Sequence, residues 1–294
     1  MDISIIFVNY KTKDLTINAI NSVIEKTEGV EYEIFVVDNN SQDGSIEAIE
    51  HAFPNINIIK NSTNAGFGAA NNLAIRQAKG KYILCLNTDT LLINNAIKIM
   101  FDFMEKEENQ KVAVCGGYLV DKDNLPCTCG GNLPNITEII WKFGLRNIFK
   151  EYYKNYSLTL KSDDDKYIKK IGYITGADIV FRKIVLDKVG LFDENFFMYF
   201  EETDLCKRIK DVGYYIKYVP EAKIQHLEGQ SSSNILTKKL MSKKSEFYYF
   251  QKHHPKLVWL VKTLYAILYL IDWIALKNNN SKLLFNFILK GCKD

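Results

Sequence analysis

Glycine and proline are scarce, 16 and 5 in 294 residues, and the chain has no Ser- or Gln-rich tract and no internal repeat. Disordered and solenoid readings are both excluded on that ground. The six cysteines, Cys85, Cys115, Cys127, Cys129, Cys206 and Cys292, fall mostly in apolar runs and lack the paired CxxC spacing of zinc sites, so reduced thiols are expected. Arginine is missing from Ile235 to Asp294, although eleven lysines there oppose only Glu246, Asp272 and Asp294, a net of +8. The whole chain carries +3, which leaves the first 234 residues at −5. No basic and apolar leader opens the sequence, since a strand-like run starts right after Asp2, and the main body is expected to face the cytoplasm. What is present is ordinary for a globular protein: 47% hydrophobic and 25% charged residues, enough for one large domain and an appendage.

Ile3 to Val8 and Ile34 to Val37 are short, β-branched and continuously apolar, as strands covered on both faces must be. Between them Leu15, Ala19, Ile20, Val23 and Ile24 repeat at helical spacing, giving a β-α-β unit. Ile56 to Lys60 predicts a third strand, Phe67 to Ala78 a helix and Tyr82 to Leu86 a fourth strand. Ala96 to Lys106 predicts another helix and Val112 to Gly116 a strand. This alternation calls for an open α/β sheet with right-handed crossovers, whose ligands sit beyond the carboxyl ends of the strands. Each of the first four strands does run into polar residues: Asn9-Tyr10, Asp38-Asn39-Asn40, Asn61 to Asn64, and Asn87-Thr88-Asp89. Turn chemistry alone explains any one of these, but their coincidence at one edge is the stronger signal. Asn124 to Asp165 reads as a loop-rich insertion without a legible role, and order returns at Ile168 to Phe181 and Val185 to Val189.

The turn after the first strand, Asn9-Tyr10-Lys11-Thr12, has no GxGxxG, so capture of a pyrophosphate at a helix terminus is not signalled there. Asp89, following an apolar run, can instead hold Mg²⁺ or Mn²⁺ through a hard oxygen, with a turn cap as the plain alternative.

Six motifs stand in a fixed order between Ile3 and Ser233. They are VVDNNSQDGS (Val36 to Ser45), NAGFGAANN (Asn64 to Asn72), NTDT (Asn87 to Thr90), TGAD (Thr175 to Asp178), GLFDENFFMYFEETDLCKR (Gly190 to Arg208) and HLEGQSS (His226 to Ser232). In this order they resemble glycosyltransferase family 2, within it the rhamnosyltransferase-like branch that builds bacterial surface polysaccharides. The resemblance implies a GT-A type, Rossmann-like, mostly parallel sheet flanked by helices. It makes residues 1–234 a nucleotide-sugar-dependent catalytic domain and 235–294 a C-terminal helical appendage. The activity implied is inverting transfer of a sugar from a nucleotide diphosphate-sugar, dTDP-rhamnose or a UDP-sugar, to a hydroxyl of a glycan or lipid-linked acceptor.

Carried over to this chain, the resemblance makes Asp38 a ligand of the donor's ribose or base with Asn39 in support, on an edge shared with Asn9, Tyr10 and Asn64. Gly66 would let the backbone approach the nucleotide, and Phe67 would pack on a ring. Asp89 would be a metal ligand with His226 as the second, Gly229 and Ser231 completing a loop able to reach phosphate, while Asn87 and Thr88 position sugar or phosphate. The family commonly has Asp-X-Asp here, and Asn87 stands in the first place. Glu201-Glu202 fill the place of the family's Glu-Asp pair, with Glu202 the base and Glu201 its neighbour. Asp204 and Arg208 would pair as support. Gly176, Ala177 and Tyr199, with Phe196, Phe197 and Phe200, would line the acceptor sugar.

Leu257 to Leu276 is twenty residues long, enough to span a bilayer, and Trp259, Tyr265, Tyr269 and Trp273 are possible interfacial anchors. Lys262 and Asp272 interrupt it, so an in-plane or bundle helix is preferred to a span. The flanking lysines, Lys238, Lys239, Lys243, Lys244, Lys252, Lys256, Lys277 and Lys282, would meet anionic lipid at the inner face of the membrane, which suits a lipid diphosphate acceptor. A homodimer interface with a basic rim is the alternative. Nucleic acid is disfavoured, because lysine is mixed with a long apolar run and no arginine accompanies it. The competing class is a non-catalytic sugar-nucleotide or glycan-binding module, which would keep Asp38 but need neither Asp89 nor the acidic pair.

Overall fold

The structure, a computed structural model, describes residues 1–142, 157–159, 169–227 and 235–292. In chain order β1 (Ile3–Asn9), α1 (Lys13–Lys26), β2 (Tyr32–Asp38), α2 (Ser45–Ala52), β3 (Asn57–Lys60), α3 (Phe67–Ile75), β4 (Tyr82–Leu86), β5 (Thr90–Leu92) and α4 (Ala96–Glu105) come first. β6 (Val112–Val120), β7 (Thr128–Gly131), α5 (Ile136–Lys142), β8 (Ser157–Thr159), β9 (Lys169–Lys170), β10 (Tyr173–Ile174) and β11 (Asp178–Arg182) follow. The chain continues with α6 (Lys183–Val189), α7 (Glu201–Asp211), β12 (Tyr215–His226), α8 (Ile235–His253), α9 (Val258–Leu276) and α10 (Asn279–Leu289).

The main sheet has the order β3-β2-β1-β4-β11-β6-β12-β5. β3, β2, β1 and β4 are mutually parallel, as are β6 and β12. Ile3, Ile5, Ile6 and Phe7 are fully buried, because helices cover β1 on both faces as its unbroken apolar run requires. The departure from simple alternation is β11, antiparallel to both β4 and β6. It enters from the irregular segment rather than from a crossover helix, and only a crossover imposes the parallel direction. Asp178 at its start is fully buried, and burial pushes its carboxyl well above the usual range, so the group is neutral at pH 7. Its Oδ2 accepts the Gly117 N–H of β6 at 2.5 Å, making the last residue of TGAD a tie between strands.

The chain forms two compact units. One contains Met1–Asn132, Ser157–Phe197 and Glu201–Ser232; the other contains Leu133–Tyr156, Met198–Phe200 and Ser233–Asp294. The second unit thus gathers a short aromatic segment besides the expected tail. In that unit the Ser245 hydroxyl donates to the Met198 carbonyl at 2.7 Å, and the Phe200 ring lies 5.8 Å from that of Tyr249. α9 buries Val261 and Tyr265, while Trp259, Ile267, Ile271 and Ile274 are exposed on the opposite side at helical spacing. The two charges that interrupt its apolar sequence point away from that stripe. Lys262 places its ammonium 5.5 Å over the Phe247 ring of α8, and Asp272 lines a cavity with residues of α8 and α10.

Candidate active site

The carboxyl ends of β1, β2 and β4 lie side by side, with Asn9 paired in register with Asp38. Asp38 is buried and accepts from Asn9 Nδ2 at 2.6 Å, Ser41 Oγ at 2.5 Å and Ser41 N at 3.0 Å. A carboxylate has roughly four lone-pair sites, so one is left for a ligand's hydroxyl or N–H. Asn9 has nothing left to offer. It is fully buried, and besides Asp38 its amide donates to Ser41 Oγ and accepts from Thr12 and Thr16. Sequence reasoning grouped Asn9 with the donor ligands; the geometry makes it the support that fixes Asp38. Asn39 acts likewise, donating to Asn64 Oδ1 and the Gly66 carbonyl while accepting from Asn61. Tyr10, at 44% exposure, remains open with Lys11 Nζ 5.5 Å from its ring centre.

Gly66 has φ +84°, and a Cβ there would stand 2.0 Å from the Phe197 carbonyl oxygen, which accepts the Phe67 N–H at 3.1 Å. Only glycine fits. Gly66→Ala is expected to lose about 2–4 kcal/mol of stability in denaturant titration, since a left-handed alanine and a backbone clash act together. The Phe67 ring packs edge-on to Phe192 at 6.1 Å, and a Cβ on Gly176 would touch it at 3.2 Å, so its surroundings are those of a packing residue. Asn72, the last letter of the same motif, was passed over by sequence reasoning. Its side chain accepts from Phe192 N and donates to Phe192 O and Glu194, clamping α3 to the loop that precedes the acidic pair.

At the end of β4 the Asn87 N–H donates to the Ala177 carbonyl at 2.9 Å, and the Thr88 hydroxyl meets that of Thr12 at 3.1 Å. The chain then turns into β5, which runs antiparallel to the end of β12 with Thr90 opposite His226. That pairing brings together two residues far apart in sequence: His226 Nε2 lies 3.3 Å from Asp89 Oδ1, and the Leu227 N–H donates to the Asp89 carbonyl. Both side chains are mostly buried yet reachable, 14% and 17% exposed. Among the described residues no group of three or more His, Cys, Asp and Glu side chains is arranged to hold a metal. Gly229 and Ser231 lie outside the described residues.

Glu201 and Glu202 open α7, where Glu201, Glu202 and Asp204 all meet the positive end of the helix. Glu201 is buried; Glu202 is half-buried, and desolvation pushes its carboxyl up to about 7 against hydrogen bonds from its own and the Thr203 N–H and from the Thr203 side chain. Arg208 anchors the helix through Asp204 at 2.9 Å, the i,i+4 pair expected, and through the carbonyls of Val189, Gly190 and Leu191. Tyr199 and Phe200, just before the pair, both have φ +69°, a conformation costing a non-glycine residue about 1–3 kcal/mol each. Phe196 is a fully buried core residue, so Phe197, Tyr199 and Phe200 are the aromatics of that run left with accessible surface.

Such a sheet, with acidic residues collected at its carboxyl edge, has the architecture of GT-A glycosyltransferases. It superposes with a TM-score of 0.58 on the mannosyltransferase PcManGT from Pyrobaculum calidifontis in complex with GDP-Man and Mn²⁺, 14% identical and covering 96% of this chain and 73% of that one. The Glycosyl transferase family 2 profile matches residues 4–189, and the chain belongs to that family of enzymes. It is similar to the N-acetylglucosaminyl-diphospho-decaprenol L-rhamnosyltransferase of Mycobacterium tuberculosis, 23% identical over 215 residues that make 68% of this chain and 67% of that protein. It is also similar, at 33% over 121 residues, to the poly(ribitol-phosphate) beta-glucosyltransferase of Bacillus spizizenii, a match covering 40% of this chain and 19% of that one.

Proposed function

We propose that the chain is an inverting hexosyltransferase of cell-surface polysaccharide synthesis. It moves a sugar from a nucleotide diphosphate-sugar, dTDP-rhamnose or a UDP-sugar, to a hydroxyl of a lipid-linked or glycan acceptor. The observation that carries this reading is the Asp89–His226 contact on the carboxyl edge. One carboxylate beside one imidazole fits a divalent ion of the Mn²⁺ or Mg²⁺ kind, Mn²⁺ accepting the nitrogen more readily. Asp89 and His226 would hold that ion, which when bound neutralises charge on the departing diphosphate. Asp38 offers its remaining lone pair to the ribose or base.

Glu202 takes the proton of the acceptor hydroxyl as that oxygen bonds to the anomeric carbon and the bond to phosphate breaks. One displacement inverts the centre, and no covalent nucleophile is needed. Residues 1–234 act as the catalytic domain and 235–294 as the part that meets the membrane. An in-plane α9 suits its two-sided surface, with Trp259, Ile267, Ile271 and Ile274 facing lipid and the tail's lysines meeting anionic headgroups. The lipid-linked acceptor in the name of the mycobacterial relative supports the same placement at the inner membrane face.

Donor hydrolysis screened over a panel of dTDP-, UDP- and GDP-sugars with Mn²⁺ or Mg²⁺ is expected to give metal-dependent turnover with one or two donors. No turnover with any donor, with or without a lipid diphosphate acceptor, would overturn the reading. Pelleting with anionic vesicles checks the membrane contact, and equal recovery from neutral and anionic vesicles counts against it.

A further inference from the structure

We infer that the second unit holds a recognition site for a phosphate-bearing headgroup, built from α8, α9 and α10 and separate from the metal-binding edge. The inference rests on the transferase reading and names the acceptor's carrier group as the ligand. A cavity of about 430 Å³ lies among these helices, lined by Lys238, Lys239 and Lys243 of α8, Tyr269 and Asp272 of α9, and Tyr199. That volume falls within the range of small-ligand sites, and a diphosphate fits it with room for part of a sugar or a chain.

The charge balance favours an anion. Three ammonium groups face the single carboxylate of Asp272. Lys243 is held from behind by Glu246, whose other oxygen accepts the Tyr265 hydroxyl at 2.7 Å, and its ammonium sits 3.8 Å over the Tyr265 ring. Lys243 is therefore fixed in place, and Lys238 and Lys239 are the cations that a phosphate would engage. Burial and the Glu246 and Asp272 charges push the Tyr269 phenol up, so it stays a hydrogen-bond donor across the working pH range. Ammonium and phenol donors without an arginine fork suit a phosphate taken as a point charge.

Two features tie the cavity to the membrane and to the reaction. α9 contributes both the cavity wall and the exposed apolar stripe, so a helix lying in the interface would set the cavity at headgroup level. Tyr199 belongs to the strained pair of residues that leads into Glu201 and Glu202. A headgroup bound against Tyr199 would therefore be registered a few residues of chain away from the proposed base.

The test is cosedimentation of the full-length protein with phosphatidylcholine vesicles carrying farnesyl diphosphate, and with vesicles carrying phosphatidylglycerol at matched charge. Inorganic pyrophosphate is added in EDTA as a soluble competitor. Lys238→Gln/Lys239→Gln is expected to weaken binding to the diphosphate vesicles on the order of tenfold. Lys256→Gln/Lys290→Gln, with the same charge change at exposed positions outside the cavity, should stay within about twofold of wild type, as loss of surface attraction alone predicts. Preference for farnesyl diphosphate with competition by pyrophosphate identifies the acceptor-type diphosphate as the source. Equal binding to both vesicle types, still lost in Lys238→Gln/Lys239→Gln, identifies an ordinary phospholipid headgroup at the same site. If Lys238→Gln/Lys239→Gln binds as wild type, or loses no more than Lys256→Gln/Lys290→Gln, the site does not exist. Thermal melts verify that each variant folds, and the metal-dependent donor assay fails or succeeds independently of this measurement.

Discussion

Asp89→Ala is expected to cut metal-dependent donor hydrolysis by about 10²–10³-fold, the scale of losing one preorganised electrostatic contact to a developing charge. The loss should come with weaker Mn²⁺ binding, read by water-proton relaxation. It should come without a comparable loss of stability, because the Asp89 contribution to the fold is its carbonyl, which accepts the Leu227 N–H and survives the substitution. Asp89→Asn keeps shape and hydrogen bonding while removing charge, and should behave like Asp89→Ala in Mn²⁺ affinity. His226→Ala is expected to lose less, since a neutral imidazole adds a donor but no charge. Unchanged Mn²⁺ affinity in both Asp89 variants would remove this pair from the metal site.

The pairing of Asp89 with His226 marks where sequence reasoning reached its limit. β1, β2 and β4 were legible because strands buried on both faces must be continuously apolar, and the polar residues after them followed from the rule for open α/β sheets. β5 is three residues long and carries no periodicity, yet its ladder with β12 is what places His226 beside Asp89. The motif order resembled a family and so indicated the contact; local pattern alone did not contain it. α2 was hidden for a similar reason, with only Ser45 and Ile49 buried along its eight residues. Asn9 looked like a ligand because Asn at a strand end has spare donors and acceptors, and only the positions of Thr12, Thr16, Ser41 and Asp38 reveal that all are spent. The left-handed Tyr199 and Phe200 were illegible, since aromatic residues have no local preference for positive φ and adopt it only where surrounding contacts impose it. The charges in α9 looked like defects in a membrane span; with Lys262 over Phe247 and Asp272 in the cavity they define which side of the helix meets the bundle.

Glu202→Gln is expected to lower transfer to an acceptor by about 10²–10⁴-fold, the usual contribution of a placed general base. The wild-type profile of kcat/KM against pH should fall on the acid side with a midpoint near 7, where burial has placed the Glu202 carboxyl, and Glu202→Gln should lack that limb. Stability should move the other way. Burial raises the folded-state value from the ordinary 4.5, so folding disfavours the charged form that the reaction requires. Below pH 4.5 both states hold the proton and no penalty exists; it grows from there and is complete above about 7. The glutamine variant should therefore melt higher than wild type at about pH 8 and equally at about pH 4. Glu201, buried at 3% exposure, is placed to shape the helix start rather than to meet an acceptor, so Glu201→Gln should retain the acid limb. An acid limb lost in Glu201→Gln and kept in Glu202→Gln would exchange the two roles.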